Sequence, residues 1–301
     1  MSDDPVIGVD VGGTKILAAV VDRRGQIAET RERPTPLESQ DALVEAIYDA
    51  IGDLLEPGVA ALGVGVPSRI DQAKGVAHGS VNIPLRELPL RDLVARRFSL
   101  PVGIENDANA AAFAEWAFGA AHGSNDMVML TLGTGVGGGA VIGSRLYRGW
   151  AEFGHIVVEF DGKPCQGTCT GRGHLESYCT GLAAGEAAEH VFGPGTDAHK
   201  LVALGRAGDT RALEILDLLG RRLGAGIGSL VNIFDPQVVV VGGGFGAAAA
   251  ELVLAPAREI MKREALAPAG ERVQIVPARL GPEAGVIGAA LVAYEALADA
   301  G

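Results

Sequence analysis

The 301-residue sequence lacks any cluster of lysine and arginine that could neutralise the phosphates of a nucleic acid. Its formal net charge is −12, which further disfavours nucleic-acid binding. Long acidic runs are missing too, so this charge is ordinary surface charge rather than an acidic tail. No uninterrupted apolar run reaches about 18 residues, and we therefore expect no membrane-spanning helix.

Targeting signals and cysteine are also scarce. The opening stretch MSDDPVIGVD has no basic segment and no small-residue cleavage site, so we expect no signal peptide. Only three cysteines occur, which is too few for the disulfide framework of a secreted domain. These absences predict a cytoplasmic protein.

The chain does contain ample apolar material and an internal repeat. Hydrophobic residues make up 48% of the sequence, enough for one or two buried cores. The segment GVDVGGTKILAAVV (8–21) can be laid over MLTLGTGVGGGAVI (129–142) without a gap. Each segment has an apolar strand, a Gly/Thr turn and a second apolar strand, which is typical of a β-hairpin. Two such hairpins, about one domain length apart, predict two domains of similar topology.

Strand-like and helix-like segments alternate along the rest of the chain, which is typical of the α/β class. Three glycines in the longest predicted helix would let a neighbouring backbone approach closely; they are Gly224, Gly226 and Gly228. The predicted strands lie at 60–68, 100–107, 237–244 and 273–280. The predicted helices lie at 41–55, 108–119 and 210–234, from about Ala247 onward, and at 283–299.

Glycine and threonine are concentrated at the two hairpin turns, where glycine lets a backbone approach a phosphate and threonine adds a hydroxyl donor. Neither turn has Walker or dinucleotide-fingerprint spacing, and neither is predicted to open a helix. A tight turn would explain one copy, but two copies favour a nucleotide held between the domains. Asp10 would then lie near the phosphates as an indirect Mg²⁺ ligand, and the glycines ending strand 237–244 near the nucleoside. The candidate ATP-binding residues are Asp10, Gly12, Gly13, Thr14, Lys15, Thr131, Gly133, Thr134, Gly135, Gly137, Gly243 and Gly244.

The segment ENDANA places Asn106 and Asp107 between an apolar strand and an alanine-rich helix. Asn and Asp are preferred N-caps, so helix capping is one interpretation. The helix that follows is almost wholly apolar, however, and should be buried. A carboxylate at the start of a buried helix can act as the general base that takes a proton from a substrate hydroxyl in phosphoryl transfer.

All three cysteines lie in GHIVVEFDGKPCQGTCTGRGHLESYCTG (154–181), together with two histidines. A closed tetrahedral Zn²⁺ site takes four Cys or His ligands, and five candidates are present here. A disulfide between Cys165 and Cys169 is the alternative, but it is disfavoured in a reducing compartment. Inert core cysteines do not suit so polar and glycine-rich a segment. Zinc is therefore the favoured interpretation.

The segments DVGGTK, ENDANAAAFAEW, TLGTGVGGG and AEFGH, followed by the cysteine segment, resemble the ROK family (repressor, open reading frame, kinase) in that order. The resemblance extends from about Val6 to the last helix, and is greatest to the family's bacterial kinases of glucose. It implies an α/β, two-lobed actin-like ATPase (ribonuclease H-like) fold with a cleft between the lobes. The small lobe is expected at 1–112 plus 284–301, and the large lobe, with the zinc-binding loop, at 113–283.

The resemblance also implies ATP-dependent phosphorylation of glucose at the 6-hydroxyl, with Asp107 as the catalytic base. A site of carboxylates and amides suits a hexose, because a sugar lacking the right hydroxyl leaves buried polar groups unpaired. Mannose, an N-acetylhexosamine, allose and fructose are alternative substrates. The implied cofactors are ATP, Mg²⁺ and structural Zn²⁺, and the relatives are often dimers or tetramers. The implied sugar-binding residues are Asn82, Asn106, Asp107, Glu152, His155 and Glu176.

This chain departs from the family's zinc pattern, which is C-x-C-G-x2-G-C-x-E preceded by a histidine. Counted back from Glu176, His174 replaces the last cysteine, and Cys-x3-Cys replaces Cys-x-Cys. Zinc would fix Glu152 and His155 before the loop and Glu176 after it, without contacting phosphate. The implied ligands are His155, Cys165, Cys169 and His174, with Cys179 as a substitute.

Two other functions occur in or near this family. A regulator would need a DNA-binding helix-turn-helix before the first strand, and that strand is predicted to begin by residue 6. A non-catalytic sugar sensor would not need the base, whereas Asp107 is present. Ser68 stands where the family usually has glycine, in a loop expected near the sugar, so the substrate preference can differ.

Overall fold

A computed structural model describes residues 4–300, which divide into two compact units. Unit 1 runs to Phe118 and resumes at Pro282, and unit 2 runs from Gly119 to Gly281. The first junction directly follows the alanine-rich helix, whereas the boundary expected at 112/113 lies inside that helix.

Unit 1 begins with a five-stranded and a three-stranded sheet and three helices. Their bounds are β1 (Val6–Val11), β2 (Lys15–Val21), β3 (Ile27–Pro34), α1 (Gln40–Gly52), β4 (Leu62–Val66), β5 (Ile70–Asp71), β6 (Val76–Gly79), β7 (Arg86–Leu88), α2 (Leu90–Phe98), β8 (Val102–Asn106) and α3 (Asp107–Ala117). The larger sheet has the order β3-β2-β1-β4-β8. Its first three strands are antiparallel neighbours, whereas β1, β4 and β8 are parallel.

Unit 2 repeats this arrangement, and the chain then returns to unit 1 with its last helix. The bounds are β9 (Met127–Leu132), β10 (Val136–Ile142), β11 (Arg145–Leu146), α4 (Gly181–Phe192), α5 (Ala198–Arg206), α6 (Thr210–Phe234), β12 (Val238–Gly242), α7 (Gly244–Glu264), α8 (Ala269–Arg272), β13 (Gln274–Pro277) and α9 (Ala284–Ala300). The sheet order is β11-β10-β9-β12-β13, with β9, β12 and β13 parallel. The α/β class and the duplicated topology expected from the two hairpins are confirmed.

The two hairpins differ by one residue at the turn. Val11 pairs with Ile16 in the first, whereas Leu132 pairs with Val136 in the second. The gapless alignment of the two segments therefore holds for the first strand of each hairpin only. After the turn, Ile16 corresponds to Val136 rather than to Gly137.

Helix α9 packs on the unit 1 sheet across a row of three glycines. Gly8, Gly63 and Gly103 are register partners on β1, β4 and β8. A Cβ atom at any of the three would overlap a backbone carbonyl oxygen of α9. The alternate residues of β1, such as Ile7 and Val9, point to the opposite face and join the core formed with α1 and α2. The glycine row thus lets the helix backbone lie directly on the strands.

Two of the three glycines singled out in α6 serve a similar purpose in unit 2. A Cβ at Gly224 would overlap the backbone of Ala257 in α7, and one at Gly228 would lie 2.8 Å from Glu264 Cβ. Gly226 points instead toward Leu175, which a Cβ would approach to 3.0 Å. The expected close approach is confirmed. Across residues 4–300, none of the helices combines the length and apolar character needed to cross a membrane.

Candidate active site and metal cluster

Asn106 and Asp107 stand at the junction of β8 and α3. Asn106 Oδ1 accepts the backbone N–H of Asn109 at 3.0 Å, and Asn106 Nδ2 donates to the carbonyl oxygen of Ser68 at 3.3 Å. Asp107 Oδ1 accepts the N–H of the next residue, Ala108, at 2.8 Å. Because Asn106 provides the N-cap of α3, helix capping does not account for the carboxylate of Asp107.

Asp10 is the second carboxylate of this region. It lies in β1 on the face covered by α9, directly against Gly285, where a Cβ would overlap its carboxylate. Burial and then the nearby Asp107 carboxylate raise the pKa of Asp10 from 3.8 to about 7, while Lys15 opposes the shift. A carboxylate whose ionisation is disfavoured by a second carboxylate nearby suits a divalent cation, whose charge offsets both.

The first hairpin turn is held by its own backbone and by one threonine. Gly12 N–H donates to the carbonyl oxygen of Lys15 at 2.9 Å, and Thr35 Oγ1 donates to the carbonyl oxygen of Gly12 at 2.7 Å. Lys15 Nζ forms an exposed ion pair with Glu32 Oε2 at 2.7 Å. The turn is therefore preformed, and the Lys15 ammonium is directed to a neighbouring strand.

Asn82 lies beside this turn. A Cβ on Gly13 would stand 3.6 Å from Asn82 Cβ and 3.8 Å from its carbonyl oxygen. The exposed Asn82 is thus brought next to the candidate phosphate-binding backbone, although 68 residues of sequence separate Asn82 from Thr14. Its N–H donates to Ser80 Oγ at 3.1 Å, which orders the local turn.

Glu105 is a residue that the sequence reasoning missed. Its side chain is 1% exposed and accepts N–H donors from Asn106 at 3.0 Å, Asn109 at 3.1 Å and Gln72 at 3.1 Å. Within residues 4–300, the buried Asn109 Oδ1 has no hydrogen-bond partner. A glutamate inside an otherwise apolar strand was the signal that could have found this cluster, because a buried carboxylate needs several donors.

The candidate nucleotide residues of unit 2 come together at one end of its sheet. Gly133 N–H donates to the carbonyl oxygen of Gly135 at 2.9 Å, which closes the second turn. Thr131 and Gly137 face each other as a strand pair directly behind the turn, so Gly137 belongs to β10 rather than to the tip. Gly242 pairs with Thr131 and brings the end of β12 to the same place.

Helix α7 starts at Gly244, three residues before the start expected near Ala247. The residue before it, Gly243, has φ +80° and packs so closely on Leu132 that a Cβ would meet that backbone. Gly243 and Gly244 are therefore next to the second turn, close to other candidate ATP-binding residues.

Four side chains of unit 2 form a compact cluster, namely His155, Cys165, Cys169 and His174. Their ligand atoms all lie within 4.8 Å of one another. The two Nδ1 atoms are 3.1 Å apart, Cys165 Sγ is 3.7 Å from His155 Nδ1, and Cys169 Sγ is 3.6 Å from His174 Nδ1. Tetrahedral zinc bonds imply separations of about 3.3 Å between two nitrogens and about 3.6 Å between nitrogen and sulfur. The three separations given above are close to these values, so the cluster is compatible with zinc.

Cys179 lies outside this cluster. It is 1% exposed in the unit 2 core, and its thiol donates to the carbonyl oxygen of Leu219 at 3.5 Å. Burial raises its pKa to about 12, which disfavours the thiolate that metals bind. Cys179 lies between the 3₁₀ turn Leu175–Ser177 and α4.

Two further candidates, Glu152 and Glu176, lie at short turns that hold the two cluster histidines. Glu152 and His155 lie at a short 3₁₀ turn, Phe153–His155, and His155 directs Nδ1 into the cluster. Glu176 lies in a second 3₁₀ turn, Leu175–Ser177, and its Oε2 accepts the N–H of Val136 at 2.9 Å. The structure thus places Glu176 against the second glycine turn.

The similarity of this chain to known proteins extends over both units. The model of the ROK family matches residues 6–296. Glucokinase from Streptomyces coelicolor is 37% identical over 96% of this chain and 97% of its own length. The crystal structure of a ROK family glucokinase from Streptomyces griseus in complex with glucose and AMPPNP is 38% identical, with a TM-score of 0.82 over 97% of this chain and 99% of that one. ROK hexokinase from Thermus thermophilus is 36% identical, with a TM-score of 0.83 over 98% and 99%.

Proposed function

The chain belongs to the ROK family, and we propose that it transfers the γ-phosphoryl group of ATP to the 6-hydroxyl of glucose. Its fold is the α/β, two-lobed actin-like fold of this family's sugar kinases. The observation that carries the proposal is the carboxylate of Asp107, at the start of a buried helix and next to Asp10. The solved relative from Streptomyces griseus, which contains glucose and AMPPNP, supports the choice of substrates.

Asp107 is the proposed general base. It accepts the proton of the sugar 6-hydroxyl as that oxygen attacks the γ-phosphorus, which a positioned carboxylate accelerates by about 10²–10⁴-fold. Its Oδ1 is oriented by the N–H of Ala108, so the carboxylate is held by the rigid first turn of α3. Preorganisation of this kind contributes much of the catalysis in phosphoryl transfer.

Asn106 is proposed to bind the sugar beside the base. An amide has two donor hydrogens and two acceptor positions, and Asn106 uses one of each to contact Ser68 and Asn109. One donor and one acceptor are left for a sugar hydroxyl in a fixed orientation. Hexoses that lack the matching hydroxyl would then bind less tightly. The other proposed sugar ligands are Asn82, Glu152, His155 and Glu176.

The two glycine turns are proposed to hold the ATP phosphates through backbone N–H groups, with the turn at Gly243 near the nucleoside. Mg²⁺, placed near Asp10, would neutralise charge that develops between the β- and γ-phosphates. The carboxylate of Asp10, whose pKa the nearby Asp107 raises, fits such a cation. The cluster of four ligands described above is proposed to hold structural Zn²⁺, whose closed site leaves no position for substrate.

The test is an ADP-release assay with glucose, mannose, N-acetylglucosamine, allose and fructose, with the phosphorylated position assigned by NMR. We expect the highest kcat/KM with glucose and the 6-phosphate as product. If no hexose at millimolar concentration stimulated ADP release, the proposal would be wrong.

We further propose a cytoplasmic homo-oligomer, a dimer or a tetramer, because the relatives resembled often assemble in this way. Light scattering of the purified chain measures this state directly. A monomer at micromolar concentration would contradict it without affecting the proposed reaction.

A further inference from the structure

Glu176 connects the metal cluster to the second glycine turn. Its Oε2 accepts the N–H of Val136, the first residue after the turn, at 2.9 Å. A Cβ on Gly135, inside the turn, would stand only 2.7 Å from the same oxygen. The carboxylate therefore supports the backbone of the turn at close range.

A second link holds the other side of the same turn. The N–H of Gly181, at the start of α4, donates to the carbonyl oxygen of Gly133 at 2.9 Å. Only four residues lie between Glu176 and Gly181, so one short segment contacts both ends of the turn. The conformation of the turn thus depends on where this segment lies.

The position of that segment is set by the cluster. His174 is the residue that caps the 3₁₀ turn containing Glu176, and its Nδ1 is one of the four candidate metal-binding atoms. Cys165 Sγ, another of the four, lies 3.9 Å from Glu176 Oε1. A metal that fixed His174 and Cys165 would therefore restrain Glu176 through the backbone of its turn and through the thiol beside its carboxylate.

We propose that Glu176 is a positioning residue for the second glycine turn, and that the metal cluster sets nucleotide affinity through it. This inference rests on the proposed function, in which the turn binds ATP phosphates. It adds an effect on the nucleotide turn to the expected effect of zinc on the sugar-binding residues. Glu176 has two oxygens, so support of the turn and contact with a sugar hydroxyl are compatible.

The experiment measures AMPPNP binding by calorimetry in the absence of sugar, in four samples. These are the wild type and Glu176→Ala, each with zinc bound and after chelation. We expect Glu176→Ala to raise the AMPPNP Kd by about tenfold, the order expected for one lost hydrogen bond to a charged group. Chelation should weaken binding by the wild type to a similar extent and add little in Glu176→Ala, because both changes act on one link.

The control is Glu159→Ala, which removes an exposed glutamate of the same loop that pairs with Arg222 at 3.3 Å. It should leave the AMPPNP Kd unchanged. Circular dichroism of the chelated samples verifies that unit 2 is still folded, and the zinc-loaded Glu176→Ala sample tests the link without metal removal. The proposed link would be overturned by an unchanged AMPPNP Kd in that variant, or by losses of affinity from Glu176→Ala and from chelation that simply add. Either result would leave the kinase assignment standing. A wild type that bound no AMPPNP would overturn both.

Discussion

The strands of the two larger sheets, one in each unit, have the same order. The residues that lie side by side across the three parallel strands, called a row below, differ between the units. In unit 1 the row on the three parallel strands is Gly8, Gly63 and Gly103, and α9 lies directly on it. In unit 2 the corresponding row is Met129, Val240 and Val276. The equivalent row thus has no side chains in one unit and three apolar side chains in the other.

The next row, nearer the candidate site, differs in charge. Unit 1 has Asp10, Gly65 and Glu105 as register partners, whereas unit 2 has Thr131 next to Gly242. The acidic groups proposed for catalysis therefore belong to unit 1, and unit 2 contributes neutral turns and the metal cluster.

The largest expected effect comes from removing the carboxylate of Asp107, which begins α3 two residues after Glu105. Asp107→Asn keeps the size of the side chain and an oxygen for the N–H of Ala108 but removes the base, so kcat should fall by about 10²–10⁴-fold. Steady-state kinetics measure the loss, and glucose binding and thermal unfolding should change little. The exposed Asp92→Asn is the matched control and should retain wild-type kcat. Near-normal turnover in Asp107→Asn would show that another group is the base.

The packing difference predicts that alanine substitutions at equivalent positions of the two units lower the free energy of unfolding by unequal amounts. Gly63→Ala would force α9 away from the sheet and should lower the free energy of unfolding by about 3–5 kcal/mol. Val240→Ala in unit 2 leaves only a small cavity and should cost about 1–3 kcal/mol. Urea unfolding compares the two variants.

Gly52→Ala serves as the control for the glycine substitution. A Cβ at Gly52, the last residue of α1, would meet no atom within 4 Å. This change should be neutral or stabilising by up to about 1 kcal/mol. A Gly63→Ala protein as stable as Gly52→Ala would show that the backbone contact contributes little.

The metal cluster predicts a difference between two cysteines of unit 2. Cys169→Ser should lose bound zinc and unfold at a lower temperature, because structural metal contributes directly to folding. Cys179→Ala removes a core thiol but none of the four clustered atoms, so it should retain one zinc per chain. Zinc measured on both purified variants decides the assignment, and loss of zinc from Cys179→Ala alone would reverse it.

The last prediction concerns the pH dependence of stability. The folded pKa of Asp10, about 7, exceeds its unfolded value of 3.8, so protonated Asp10 stabilises the fold at low pH. This contribution is fully present below about pH 4 and is lost as the pH rises through 7; three pKa units correspond to about 4 kcal/mol at most. Asp10→Asn should lack this decline in urea unfolding between pH 5 and pH 8. An identical decline in both proteins would assign it to other groups.

Elements whose own residues have a clear helix or strand pattern could be predicted from the sequence. Helix α6 has the bounds expected from the sequence, Thr210–Phe234, and Asp209 caps it. Strand β3 was not expected, because its residues IAETRERP are mostly exposed and lack apolar alternation. It forms by pairing along β2, a contact that its own sequence does not reveal.

The site shows the same limit. Spacing alone could not exclude Cys179 from the zinc ligands, because its burial depends on residues such as Leu219 that are distant in sequence. Glu105 was overlooked because its donors come from a loop and a helix, and their convergence on one carboxylate requires the folded chain. The motif at Asn106 and Asp107, by contrast, is contiguous and could be recognised from the sequence.

Helix α9 also determines the order in which the units can mature during translation. It follows all of unit 2 in the chain, yet it covers one face of the unit 1 sheet. That face stays open on the ribosome until the intervening residues have emerged, whereas unit 2 is continuous and can close its core earlier. Unit 1, most of which emerges first, is therefore the later of the two units to complete its native packing.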